Sequence, residues 1–123
     1  MKWKDGLRLW RKLRNIKEPQ GKFVEMIEEE LQEYKDATTV EERIDAIADI
    51  MVFATNECEL EGYDLDLVMK QVVKHISART QDPQQVTDWL NNGPSGKWMK
   101  NPNQDPATLY EPNYALCRMG YTA

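Results

Sequence analysis

Between Val40 and Leu60 the chain is apolar on nearly every side of a helical wheel. Ile44, Ile47, Ala48, Met51 and Cys58 make one face, and Ile50, Val52 and Phe53 fill the remainder. A helix apolar almost all round is a central one, covered by other helices on several sides. Asp45, Asp49 and Asn56 nevertheless fall on one line of it, between Val52 and Phe53. Burying an unpaired carboxylate costs several kcal/mol, so Asp49 requires a partner. Arg43 lies on another face, and Lys35 is the only other base between positions 23 and 66. A hard divalent cation is the economical partner, because Mg²⁺ takes a few carboxylates and completes its shell with water and phosphate oxygens.

The neighbouring segments read as helices of the same bundle. A first helix is expected over about 5–16, with Leu7, Trp10, Leu13 and Arg14 at helical spacing, ended by Glu18-Pro19-Gln20-Gly21. A second should run over about 22–37, with Phe23, Ile27, Leu31 and Tyr34 in one stripe. Thr39 and Glu42 form a capping box for the third helix, and Gly62 stops it. Asp64 or Asp66 opens a fourth helix to about Thr80, and a short fifth follows Pro83 to Asn91. From Asn92 the character changes: a turn cluster and Pro102, Pro106 and Pro112 break the chain. Trp98, Met99, Leu109, Tyr110, Tyr114 and Tyr121 make this tail too apolar for a plain linker. The fold expected is all-α: a helical domain at 1–91 and an irregular arm at 92–123 that packs on the bundle or on a neighbouring subunit.

Charge narrows the function. The net charge of −5 divides into +6 over residues 1–22, −13 over 23–66 and +2 over 67–123. Such a chain does not hold a polyanionic backbone by overall charge, so nucleic acid is a poor partner. An acidic middle beside basic segments suits a divalent cation with a phosphate, or else is a solvated helix face. Cys58 and Cys117 stand far apart, which excludes a disulfide scaffold and a zinc ribbon and fits a reducing compartment. The amino-terminal residues have no apolar signal core, and no apolar run could cross a bilayer. A cytoplasmic domain without membrane contact is expected.

On the second helix, Glu30 lies close to the apolar stripe while Glu25 and Glu29 point away from it. Glu33 is one turn on, so Glu30 and Glu33 make a carboxylate pair at the i, i+3 spacing. Glu29-Glu30-Leu31-Gln32-Glu33, followed by Asp45-Ala46-Ile47-Ala48-Asp49, resembles the MazG-type nucleoside triphosphate pyrophosphohydrolases. That all-α superfamily also includes dimeric dUTPases and phosphoribosyl-ATP pyrophosphatases. Its pattern is Glu-Glu-x-x-Glu and, a helix later, Glu-x-x-Asp. The first half matches in full; in the second, Ala46 stands where Glu is usual and Asp45 precedes it, as in short, often phage-encoded members.

The resemblance spans about 22–80 and implies hydrolysis between the α and β phosphates, with Mg²⁺ (or Mn²⁺ in its place) as cofactor. Glu30, Glu33 and Asp49 would be catalytic metal ligands, with Asp45 substituting for the missing Glu. Glu29 occupies the first motif position but is turned outward. Relatives place a Lys and an Arg near the fourth helix, so Lys70, Lys74 and Arg79 are either phosphate contacts or ordinary solvated bases. Asn56 either contacts sugar or base or is a buried capping amide. Trp10 either stacks on a base or belongs to the core. His75 has no partner for zinc, and the absence of a Glu-x-x-His motif argues against a di-iron bundle.

Two other readings stand beside a general triphosphatase: a non-catalytic acidic helical interaction module, and a pyrimidine-specific dUTPase or dCTPase. The all-apolar third helix has too few partners in one chain, so a homodimer or homotetramer is expected.

Overall fold

The structure is a computed structural model, and it describes residues 2–80, 84, 87, 90, 91 and 101–119. It is all-helical: α1 (Trp3–Leu13), α2 (Phe23–Asp36), α3 (Val40–Leu60) and α4 (Leu65–Ser77), with 3-10 turns at Pro106–Thr108 and Tyr114–Cys117. Among the described residues there is no strand, and one isolated antiparallel bridge joins Tyr63 to Arg118. Residues 84, 87, 90 and 91, where a fifth helix was expected, are helical; the rest of that stretch, with Trp98, Met99 and Tyr121, lies outside the described residues.

The helix ends follow from local chemistry. α1 stops three residues short of the expected Ile16 because Asn15 adopts φ +56°. The Asn15 N–H then donates to the Lys12 carbonyl at 3.1 Å and the Ile16 N–H to that of Arg11 at 3.0 Å, a Schellman pairing. α3 ends in the same way at Gly62 (φ +92°), whose N–H donates to Glu59 while Tyr63 donates to Cys58. At the other end of α3 the Thr39 hydroxyl accepts from the Glu42 N–H at 3.1 Å. The Glu42 carboxylate returns to the Thr38 N–H at 2.9 Å, one residue earlier than a strict capping box.

Contacts divide the chain into two compact units. The first holds residues up to Leu65 together with Arg118 and Met119, and the second runs from Asp66 to Cys117. In the first, α2 and α1 both pack on α3. Ala46 and Thr55 are buried there, the Thr55 hydroxyl donating to the Met51 carbonyl at 2.7 Å.

In keeping with its expected shortage of partners, the third helix is not covered all round by its own chain: Ile44, Ile47 and Met51 are exposed, as are Leu31 and Tyr34 of the α2 stripe. Two packed helices cover only one side of a third. Trp10 is not a core residue, being 43% exposed. α1 instead turns Lys4 and Arg11 inward and leaves Leu9, Trp10 and Leu13 outside.

In the second unit, α4 ends at Ser77 rather than Thr80, where Gln104 takes over as a cap. Its Nε2 donates to the Ala78 carbonyl at 2.6 Å, and its Oε1 accepts from the Thr80 N–H at 2.9 Å. The arm is tied to α4 again through Gln71, whose Oε1 accepts from the Tyr110 hydroxyl and, at 3.0 Å, from the Asn113 N–H. A guanidinium can only donate, so His75 Nε2 accepts from Arg79 at 2.8 Å. His75 Nδ1–H therefore donates to the Tyr110 carbonyl at 2.6 Å, which fixes the imidazole as the neutral Nδ1–H tautomer.

Candidate metal centre

α2 and α3 are antiparallel neighbours by virtue of their short connection at Ala37–Thr39, and they bring three acids together. Carboxylate oxygens of Glu30, Glu33 and Asp49 all lie within 4.8 Å of one another. The three differ in setting: Glu30 is buried, Asp49 half-buried and Glu33 exposed, so the group opens to solvent on the Glu33 side. No described Lys or Arg lies within ion-pairing distance of any of them.

Electrostatics report the strain of this crowding. Burial, then a hydrogen bond to Glu33 and the charges of Glu33, Asp49 and Asp45, push the Glu30 carboxyl up to about 7. Burial and the charges of Asp45 and Glu33 likewise raise Asp49. Glu30 Oε2 is buried without any hydrogen-bond partner. A buried acceptor left unpaired, among carboxylates that repel one another, is the setting a divalent cation satisfies. The donor set is all oxygen, which suits Mg²⁺ or Mn²⁺ rather than a thiophilic metal.

Asp45, expected among the ligands, stays outside this group. It is exposed one turn before Asp49, and with Glu33, Asp36, Ala37 and Glu42 it lines an open cleft of about 290 Å³. Its charge still reaches Glu30 and Asp49. Ala46, at the position where the resembled pattern carries Glu, is 1% exposed and sits in the α3 core. Glu29 and Glu25 are exposed, in keeping with their outward helical phase.

Asn56 is engaged by α1: its Oδ1 accepts from Arg11 Nη1. Arg11 Nη2 donates to Glu59 Oε1 at 2.8 Å, and Arg8 Nε donates to Glu59 Oε2 at 3.0 Å. Burial by itself would raise Glu59, but hydrogen bonds from the two arginines outweigh it and hold the carboxyl below its usual range. Sequence reasoning missed this cluster. Its signal was Glu59 on a mostly apolar helix, with Arg8 and Arg11 at the i, i+3 spacing on a basic one.

Trp10 lies on the outer face of α1, with the Arg14 guanidinium 4.3 Å from its ring centre. Lys70, Lys74 and Arg79 belong to the second unit. There the Lys74 ammonium stands 5.8 Å from the Tyr110 ring centre, and Arg79 is bonded to His75.

A helical pair that presents clustered, unneutralised carboxylates defines a candidate divalent-cation centre on an all-α scaffold. The family described as phosphoribosyl-ATP pyrophosphohydrolase matches residues 11–76, more than half of the chain, and the chain belongs to it. This places the protein among the pyrophosphohydrolases, hydrolases that act on acid anhydrides of nucleotides. No curated protein and no solved structure matches the chain. Among the described residues, no helix is long and apolar enough to cross a membrane.

Proposed function

We propose that the protein is a Mg²⁺-dependent nucleoside triphosphate pyrophosphohydrolase that cleaves between the α and β phosphates, releasing a (deoxy)nucleoside monophosphate and pyrophosphate. The observation that carries this reading is the Glu30–Glu33–Asp49 group, with its buried, unpartnered Glu30 oxygen, inside the part of the chain matched by the family. Glu30, Glu33 and Asp49 would hold the cation, and Asp45 stands close enough to add to the field that retains it. A bound Mg²⁺ supplies charge neutralisation for the polyphosphate and lowers the pKa of a coordinated water. The chain's own part is to hold the carboxylates on two rigid helices and to accept a proton from the attacking water. Asp45, an exposed carboxylate lining the open cleft beside Glu33, would take that proton.

Trp10 and Asn56 are proposed contacts for the nucleoside. The exposed Ile44, Ile47 and Met51 on α3, together with Leu31 and Tyr34 on α2, support assembly of two or four copies through this face. The acidic interaction module is the competing reading, and a preference for dUTP or dCTP is the narrower one.

The test is product analysis over all ribo- and deoxyribonucleoside triphosphates with Mg²⁺, with phosphoribosyl-ATP added because of the family's description. Pyrophosphate with a monophosphate is the expected result for at least one substrate. Orthophosphate with a diphosphate would refute the proposed bond, and no turnover at all would favour the interaction module.

A further inference from the structure

The Arg8–Arg11–Glu59 cluster does more than join α1 to α3. We infer that it fixes the Asn56 amide so that the site offers a hydrogen-bond donor to the nucleoside part of the substrate, which makes Arg11 and Glu59 positioning residues for recognition. This rests on the pyrophosphohydrolase reading above.

An isolated asparagine amide can present either its oxygen or its nitrogen, and the two choices select different ligands. Here the choice is made by Arg11. A guanidinium has five donors and no acceptor, so the only Asn56 atom that can face Arg11 Nη1 is Oδ1. Arg11 is itself held: it is buried, and its Nη2 is tied to Glu59, whose side chain is 1% exposed. Glu59 is fixed in turn by Arg8 on its other oxygen. Every group in the chain from Arg8 to the Asn56 oxygen is therefore spoken for. What is left over is Asn56 Nδ2, for which no described residue supplies an acceptor and which is not sealed from solvent.

The position of that free donor gives it a purpose. Asn56 follows Asp49 by seven residues, two turns of helix, so it lies on the same line of α3 about 10 Å further along. A nucleotide whose phosphates meet the Glu30–Glu33–Asp49 group extends its sugar and base over a distance of this order. The matching chemistry on the ligand is an acceptor: a ring carbonyl oxygen, an unprotonated ring nitrogen, or a sugar oxygen. A buried salt bridge is an inefficient way to gain stability, since its desolvation offsets most of its attraction. Orienting an amide is a use that a pair of leucines could not serve.

The experiment is calorimetric binding with Mg²⁺ to α,β-methylene analogues of dUTP, dCTP, dATP and dGTP, to an abasic ribose triphosphate, and to tripolyphosphate. Asn56→Asp retains an acceptor for Arg11 and replaces the free donor by an acceptor. It should weaken the best-bound nucleotide analogue at least tenfold while changing tripolyphosphate affinity less than twofold. Arg11→Lys retains the charge opposite Glu59 but cannot fork to both partners; it should weaken the nucleotide severalfold and leave tripolyphosphate unchanged. A parallel loss on the abasic compound assigns the acceptor to the sugar, and an unchanged abasic affinity assigns it to the base. Nucleotide binding by Asn56→Asp equal to wild type, or an equal loss on nucleotide and tripolyphosphate, would overturn the inference. Wild-type protein that binds none of these probes would instead overturn the pyrophosphohydrolase reading on which it stands.

Discussion

Glu30→Gln should stabilise the metal-free protein above neutral pH while removing the stabilisation that Mg²⁺ gives to wild type. The magnitude follows from the Glu30 carboxyl, held at about 7 in the folded chain against the usual 4.5. A group whose folded value is raised binds its proton more tightly folded than unfolded. Wild-type stability therefore falls as pH rises through 4.5 to 7, and above 7 the full penalty is present. At about 1.4 kcal/mol per tenfold change in proton affinity, this difference amounts to roughly 3 kcal/mol as a ceiling. The Glu33 side of the group opens to water, and solvent screening there brings the expected effect to roughly 1–2 kcal/mol. Glutamine retains the shape and a donor toward Glu33 and has no charge to lose. Urea denaturation in EDTA at fixed protein concentration, from pH 5 to pH 9, provides the measurement. The two proteins should be alike near pH 5 and should diverge by pH 8, with the variant the more stable. Addition of Mg²⁺ at pH 8 should raise the wild-type midpoint and leave that of the variant nearly unmoved. Parallel pH profiles, or equal Mg²⁺ shifts, would refute the assignment of Glu30 as a buried carboxyl awaiting a cation.

Glu33→Gln and Asp49→Asn should each lower pyrophosphate release at least ~100-fold with the circular dichroism spectrum unchanged, whereas Glu25→Gln should retain wild-type turnover. Glu59→Ala leaves Arg11 buried without its carboxylate and should cost about 3–5 kcal/mol in urea titrations. Gly62→Ala places a Cβ on a residue at φ +92° and should cost about 1 kcal/mol in the same assay, although the space around Gly62 is open. Met51→Glu, on the exposed apolar face of α3, should lower the mass seen by light scattering to that of one chain.

Much of the fold could be read from the sequence because it rests on local rules. Thr39 before Glu42 and Gly62 after Leu60 mark both ends of α3, and each acts through hydrogen bonds within a few residues. The Asn15 stop was missed because asparagine adopts the left-handed conformation less readily than glycine, and Pro19 and Gly21 offered a stronger break just downstream. The end of α4 could not be read locally at all. Its cap is Gln104, twenty-six positions beyond the carbonyl it satisfies.

The candidate centre was legible for the same reason that its neighbour was not. Glu30, Glu33 and Asp49 are set by the phases of two helices, and helical phase is a property of spacing alone. The orientation of α1 depends on which of its faces has the better partner. Spacing showed a stripe of Leu7, Trp10 and Leu13, and hydrophobicity by itself would turn that stripe inward. Glu59 reverses the choice. A carboxylate buried on α3 without a cation would cost several kcal/mol, comparable to the gain from burying one or two large apolar side chains. Two arginines at i, i+3 cancel that cost only if α1 presents its basic face, so Arg11 goes in, Arg8 reaches Glu59 from the exposed edge of the helix, and Leu9, Trp10 and Leu13 come out. Glu59→Leu with Arg11→Leu removes both sides of this balance. If the argument holds, the double variant should rotate α1 about its axis and bury Trp10, which a blue shift of tryptophan emission would report. An emission spectrum no bluer than that of wild type would show that the orientation is set by something other than the Glu59 charge.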